Sequence, residues 1–158
     1  MFKGVQQRLY AHVKEGFDGG RGSVHQILAI LKVTKSLVEG MLGYSKEKYP
    51  NEMLILLRGK KMDESYVLYQ AVFPPFVYSN WHSATYNPWH MPLDFSIIAT
   101  AHSHPSGVKI PSREDLLHPY GKFMLITGYP YESERDIAAF DGKGRMVEWE
   151  AVEDDIAQ

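Results

Sequence analysis

The chain has 158 residues, 44% of them hydrophobic and 23% charged, with a formal net charge of −2. That length and balance suit one compact domain and exclude a general electrostatic footprint for nucleic acid or anionic lipid. Cysteine is absent, which excludes disulfides, a catalytic thiol and any thiolate-bound metal.

The first residues lack the apolar stretch of a secretory leader. No run approaches the roughly 18 apolar residues that a membrane span needs. A cytoplasmic protein without a membrane partner is the expectation. In chain order, Phe2, Val5, Leu9 and Val13 fall at helical spacing and predict an amphipathic helix over 2–17. A glycine-rich break follows, so residues 1–22 are expected to form a helical extension to a main domain over 23–158. Ser23 is a candidate N-cap for a second helix carrying Val24, Ile27, Leu28, Ile30, Leu31, Val33, Leu37, Val38 and Leu42. That helix should be interrupted near Gly40 or Gly43 and stop by Pro50.

Residues 52–59 read as a strand buried on both faces, and 66–73 as its hairpin partner. The turn between them is polar, with Arg58, Lys60 and Lys61 expected to be solvated. Residues 74–92 hold four prolines and two tryptophans and fit no period. They predict a long aromatic loop, either a lid on the core or a wall of a substrate groove, carrying His82 and His90. A buried strand follows over 94–102, then a short helix with Ser112 as N-cap and Glu114 and Asp115 in its first turn. A strand over 122–130 and a hairpin turning at Asp141-Gly142 complete the pattern, before a polar tail. The order predicts an α+β domain: a single mixed β-sheet flanked by helices.

The stretch "AHSHPSGVKIPSRED" concentrates the chemistry. His102 and His104 are two apart in a strand, so both imidazoles face the same side and can reach one cation. Zinc takes four tetrahedral ligands, commonly histidine and carboxylate. Asp115, past a Pro/Gly turn, is the candidate third ligand. Each residue alone has a plainer use: a loop histidine pair, a helix cap at Ser112, a helix-dipole partner at Asp115, a surface acid at Glu52.

Together these residues resemble a known family. His102-Ser103-His104-Pro105, Ser112 and Asp115 match the JAMM motif of the MPN-domain metalloproteases, and Glu52 at the head of "EMLILLRG" fits the family's upstream glutamate. Family members often carry glycine where this chain has Ile55, a difference of packing. The resemblance covers roughly 49–149 and implies the MPN/JAMM, cytidine-deaminase-like architecture. It also implies one Zn²⁺ per chain held by His102, His104 and Asp115, with the fourth position left to water. Glu52 would be the general base and then the acid for the leaving amine, and Ser112 would donate to the oxyanion. His118, one turn after Asp115, is a candidate hydrogen-bond partner for it.

In this family the substrates are ubiquitin-like proteins attached through a Gly-Gly tail. The compact chain resembles the prokaryotic branch, which acts on small ubiquitin-like or sulfur-carrier proteins. Two other readings compete: a non-catalytic MPN scaffold, against which all five functional positions are retained, and a zinc hydrolase of a small-molecule amide.

Overall fold

The computed structural model describes residues 30–75, 77–80, 82–85 and 93–157. The helix expected over 2–17, the beginning of the second helix and the boundary between an extension and a main domain lie outside these residues. His90 does too.

The described chain opens with β1 (Leu31–Thr34), not with helix. This corrects the expectation of one helix from Ser23 through Leu42. Leu31 and Val33 fit the alternation of a strand as well as they fit a helical stripe, and both are fully buried. The decision is made by distant partners: β1 lies parallel between Tyr66–Leu68 and Trp149–Val152. Helix α1 (Lys35–Lys48) follows directly. It buries Leu37, Val38, Met41, Leu42 and Ser45 and exposes Gly40 and Gly43, with open space beside both glycines. No packed neighbour forces a break there, so the helix runs through them. Thr34 makes no side-chain cap. Asp154, from the far end of the chain, caps α1 instead, accepting from the Ser36 N–H and hydroxyl. The tail expected to be merely polar is therefore fastened, as a 3₁₀ turn over Asp154–Ala157, to the start of α1.

Strands β2 (Leu54–Met62) and β3 (Ser65–Val72) form the expected hairpin. β2 is longer than predicted, and the turn shrinks to Asp63-Glu64. Arg58 is correspondingly not a solvated turn residue. It is half-buried within β2 and donates to Ser96, Gln70 and Asp94. The described part of the aromatic loop contains a small antiparallel pair, β4 (Tyr78–Ser79) and β5 (Ala84–Thr85). Then come β6 (Ile97–His104), α2 (Arg113–Leu117), β7 (Phe123–Gly128), β8 (Ile137–Asp141), β9 (Met146–Val147) and β10 (Trp149–Val152).

The main sheet has eight strands in the order β10-β1-β3-β2-β6-β7-β8-β9. It is mixed, with β1, β3 and β10 parallel where they pair, β6 parallel to β7, and the remaining pairs antiparallel. The expected α+β class with one mixed sheet is therefore observed. The second strand of the predicted C-terminal hairpin is split at Glu148. Its first part pairs with β8 at one end of the sheet and its second with β1 at the other. α1 covers one face over a core that includes Leu31, Met41, Ile55, Leu57, Leu68, Leu125 and Tyr131.

Gly121 marks the tightest approach in this frame. Its φ is +82°, and a Cβ there would stand 2.5 Å from the Ile98 carbonyl oxygen. The next residue, Lys122, donates its N–H to that same carbonyl at 2.7 Å. Gly121 thus sets the register in which β7 enters beside β6. Gly121→Ala is expected to cost about 2–3 kcal/mol, from left-handed strain plus displaced backbone. Urea unfolding would read this, and an unchanged midpoint would show the glycine to be dispensable.

Candidate metal centre

The site is built where β2, β6 and β7 lie side by side. Met53 and Ser103 are the hinge of the arrangement. Ser103 donates its N–H to the Met53 carbonyl at 3.1 Å, and the Ser103 hydroxyl accepts from the Met53 N–H at 2.8 Å. Both residues are buried. Side chains alternate along extended backbone, so the residues flanking this pair face the other way together. Those residues are Glu52 on one chain segment and His102 and His104 on the other.

α2 supplies the third donor. Ser112 is its N-cap, accepting from the Asp115 N–H at 3.2 Å, while the Asp115 carboxylate accepts from the Ser112 N–H at 2.6 Å. This reciprocal capping box does more than start a helix. It aims Asp115 Oδ2 at the histidines, 3.4 Å from His102 Nε2 and 3.9 Å from His104 Nε2. The two Nε2 atoms are 3.1 Å apart. The loop between β6 and α2 is held close to β7. A side chain at Gly128 would meet Lys109 at 2.8 Å and the Gly107 carbonyl at 2.9 Å, and Gly107 itself turns with φ +78°.

Three features fit a divalent cation such as zinc. First, the candidate donor atoms of His102, His104 and Asp115 all lie within 4.8 Å of one another. A tetrahedron with bonds of about 2.0–2.1 Å has edges of roughly 3.4 Å, close to the separations seen. Second, His104 Nδ1 is 2.6 Å from the Val108 carbonyl, which can only accept. Nδ1 must therefore carry the proton, leaving Nε2 as a lone pair aimed at the centre. Third, the charge states suit a cation. Burial and the neighbouring His102 push the His104 pKa down. Burial pushes Asp115 up, but the His102 hydrogen bond and charge and the Ser112 cap outweigh it and hold the carboxyl well below the usual range. Neutral imidazole and ionised carboxylate are the forms that bind metal.

Glu52 has the opposite environment. Burial, with added repulsion from Asp115 and against the opposing pull of His102, pushes its carboxyl up to about 7. The β4–β5 hairpin holds it from the other side. The Glu52 N–H donates to the Asn80 carbonyl at 2.9 Å, and the Ala84 N–H donates to its carboxylate. A carboxyl near neutrality beside a cation site is the profile of a general acid–base group.

The structure thus brings together all five residues singled out in the sequence: Glu52, His102, His104, Ser112 and Asp115. It does not bring in the others. His118 is an exposed C-cap with no hydrogen bond or ion pair to Asp115. His82 lies exposed at the tip of the β4–β5 hairpin. Sequence reasoning missed the Ser103–Met53 clamp, the Val108 carbonyl and the anchoring of Glu52 by Asn80 and Ala84. Only Ser103 left a signal, as a hydroxyl on the strand face opposite the histidines.

Comparison with known proteins agrees with this geometry. Residues 34–143 match the family of prokaryotic homologues of the JAB domain. A curated Haloferax volcanii protein named a probable metalloprotease is 30% identical over 135 residues, 81% of this chain and 83% of the relative. A solved structure described as a metalloprotease-like JAMM zinc site in the proteasome and signalosome is 31% identical, with a TM-score of 0.58 over 79% of this chain and all of the other. A JAB1/MPN domain protein from Archaeoglobus fulgidus is 29% identical, with a TM-score of 0.57 over 78% of this chain and 98% of its own. With the motif, the sheet order and the converging donors already in place, these matches identify the chain as a compact prokaryotic member of the JAMM/MPN metalloprotease family.

Proposed function

We propose that the protein is a zinc-dependent metallopeptidase that hydrolyses an amide or isopeptide bond after the C-terminal Gly-Gly tail of a ubiquitin-like or sulfur-carrier protein. The observation that carries the proposal is the convergence of His102 Nε2, His104 Nε2 and Asp115 Oδ2 beside a glutamate poised near neutrality. One zinc ion held by those three donors would supply a Lewis acid that activates water and polarises the scissile carbonyl.

The protein's own groups then have defined tasks. Glu52 takes a proton from the attacking water and delivers one to the departing amine, for which a pKa near 7 suits both directions. Ser112 uses its oxygen to accept from Asp115 N–H, so its own proton stays available to donate to the developing oxyanion. Val108 and the Ser112 cap keep the ligand set oriented. Among the described residues no helix is long and apolar enough to cross a membrane, in keeping with a proposed cytoplasmic setting.

Two observations favour a protein tail over a small amide. Glu52 is walled by a β-hairpin whose backbone can pair with an extended chain. A relative's zinc site is described in the proteasome and signalosome. The decisive experiment is a panel of ubiquitin-like and sulfur-carrier proteins ending in Gly-Gly, each fused or isopeptide-linked to a reporter. Zinc-loaded protein should release the reporter after the second glycine, and chelator should stop it. Cleavage of small amides alone, with every conjugate intact, would sink the substrate assignment.

A further inference from the structure

The β4–β5 hairpin closes its turn with a side chain where main chain would ordinarily serve. Tyr78 pairs with Thr85 and Ser79 with Ala84, so Asn80 and Ser83 form the next pair and residues 81 and 82 make the bend. In a two-residue hairpin the closing pair ordinarily exchanges both main-chain hydrogen bonds. One of those bonds is present: the Asn80 N–H donates to the Ser83 carbonyl at 2.8 Å. The return bond goes elsewhere. The Ser83 N–H donates to Asn80 Oδ1 at 2.8 Å, and the His82 N–H donates to the same atom at 2.7 Å. Both partners are donors, so the amide oxygen, with its two lone pairs, is the atom that faces them.

The consequence lies with the carbonyl that the side chain replaces. Released from the turn, the Asn80 carbonyl accepts from the Glu52 N–H at 2.9 Å. Asn80 thus ties the turn with its side chain and the Glu52 segment with its main chain. A short side chain bearing an acceptor is what makes this division possible, and only asparagine and aspartate supply it well at a turn. Alanine would leave the Ser83 N–H without its acceptor. The Asn80 carbonyl directly across the hairpin is the nearest replacement, and drawing it into the turn would take it from Glu52.

We propose that Asn80 is a positioning residue: by closing the turn with its side chain it frees its carbonyl to hold the Glu52 segment, and so fixes Glu52 against the hairpin that walls the site. The inference rests on the reading of Glu52 as the general acid–base group. It assigns Asn80 no contact with substrate or metal.

Asn80→Ala and Asn80→Asp separate this role from a general loosening of the fold. Asn80 is exposed, so the alanine variant should fold, and zinc affinity should stay within about twofold of wild type. Its kcat on a cleavable conjugate should fall at least about tenfold, as expected when a reacting group is displaced by a fraction of an ångström. The KM should change less than threefold or so, because the pairs Tyr78–Thr85 and Ser79–Ala84 remain. Aspartate keeps the acceptor and should recover most of the lost kcat. An alanine variant within twofold of wild type in kcat would overturn the proposal, and so would an aspartate variant as slow as alanine.

A second readout does not depend on metal or turnover. In the apoprotein the Glu52 amide should exchange with solvent about tenfold faster in Asn80→Ala than in wild type, and at the wild-type rate in Asn80→Asp. Equal exchange in all three proteins would refute the tie by itself. Absence of zinc uptake or hydrolysis by wild type would instead refute the proposed function, leaving the exchange measurement to decide about Asn80.

Discussion

Glu52→Gln is expected to lower amide hydrolysis by roughly 10²–10⁴-fold while zinc remains bound, and at the same time to make the apoprotein more stable above neutral pH. Both effects have one source. The carboxyl is held at about 7 against an ordinary value of 4.5, because burial penalises its charge. A carboxyl whose pKa is higher folded than unfolded favours the folded state while it is protonated. That contribution is complete below pH 4.5 and is lost as pH rises to 7, beyond which the folded chain carries a strained charge. The full shift corresponds to about 3 kcal/mol, and screening at a half-buried position reduces this to about 1–2 kcal/mol. Glutamine has the same shape and never ionises. Urea titrations of the two apoproteins should therefore coincide near pH 4 and diverge by pH 8, with the variant more stable. A gap of equal size at both pH values would remove the basis for a raised Glu52 pKa, and undiminished turnover would remove Glu52 from the chemistry.

His104→Ala should do the reverse, removing the metal and leaving the base. It deletes one of three converging donors and also the group that holds the Val108 carbonyl. If structural zinc binds with about 10–16 kcal/mol spread over its ligands, loss of one donor weakens the complex by roughly 10²–10³-fold. Metal analysis after dialysis should find about one zinc per wild-type chain and far less in the variant. Competition with a chromophoric chelator would give the ratio. Full zinc content in His104→Ala would place the metal elsewhere. Set beside Glu52→Gln, which should keep zinc but not turnover, the pair separates holding the cation from using it.

The site was more legible in the sequence than the frame that carries it. His102, His104, Ser112 and Asp115 lie within one short stretch, so local spacing, strand alternation and a cap signal suffice to bring them together. Glu52 needed the family motif, because nothing local ties it to residues that meet it only through the β2–β6 pairing. β1 illustrates the opposite limit. Leu31 and Val33 serve a helix or a strand equally, and the choice is made by Tyr66 and Trp149, which no local window contains. Arg58 misled for a related reason. Its charge suggested solvent, but Ser96, Gln70 and Asp94 supply one acceptor for each of its three nitrogens on a strand. The polar tail likewise gave no sign that Asp154 would cap α1, since that cap depends on β10 having first brought the tail to the helix.

Because Glu148 alone separates β9 from β10, the two ends of the sheet are tied by a single residue. During synthesis β1 is among the first described elements to leave the ribosome, yet its outer neighbour is among the last. Glu52, the three converging donors and the strands that align them all lie between these two events, and they can pair over shorter separations. A nascent chain would thus hold every group of the candidate metal centre while one flank of the sheet still lacks its partner. Closing that flank brings together segments from opposite ends of the described chain, with the loop entropy that this entails. Chemistry would be encoded early, and the rigidity that chemistry needs would arrive with the final strand.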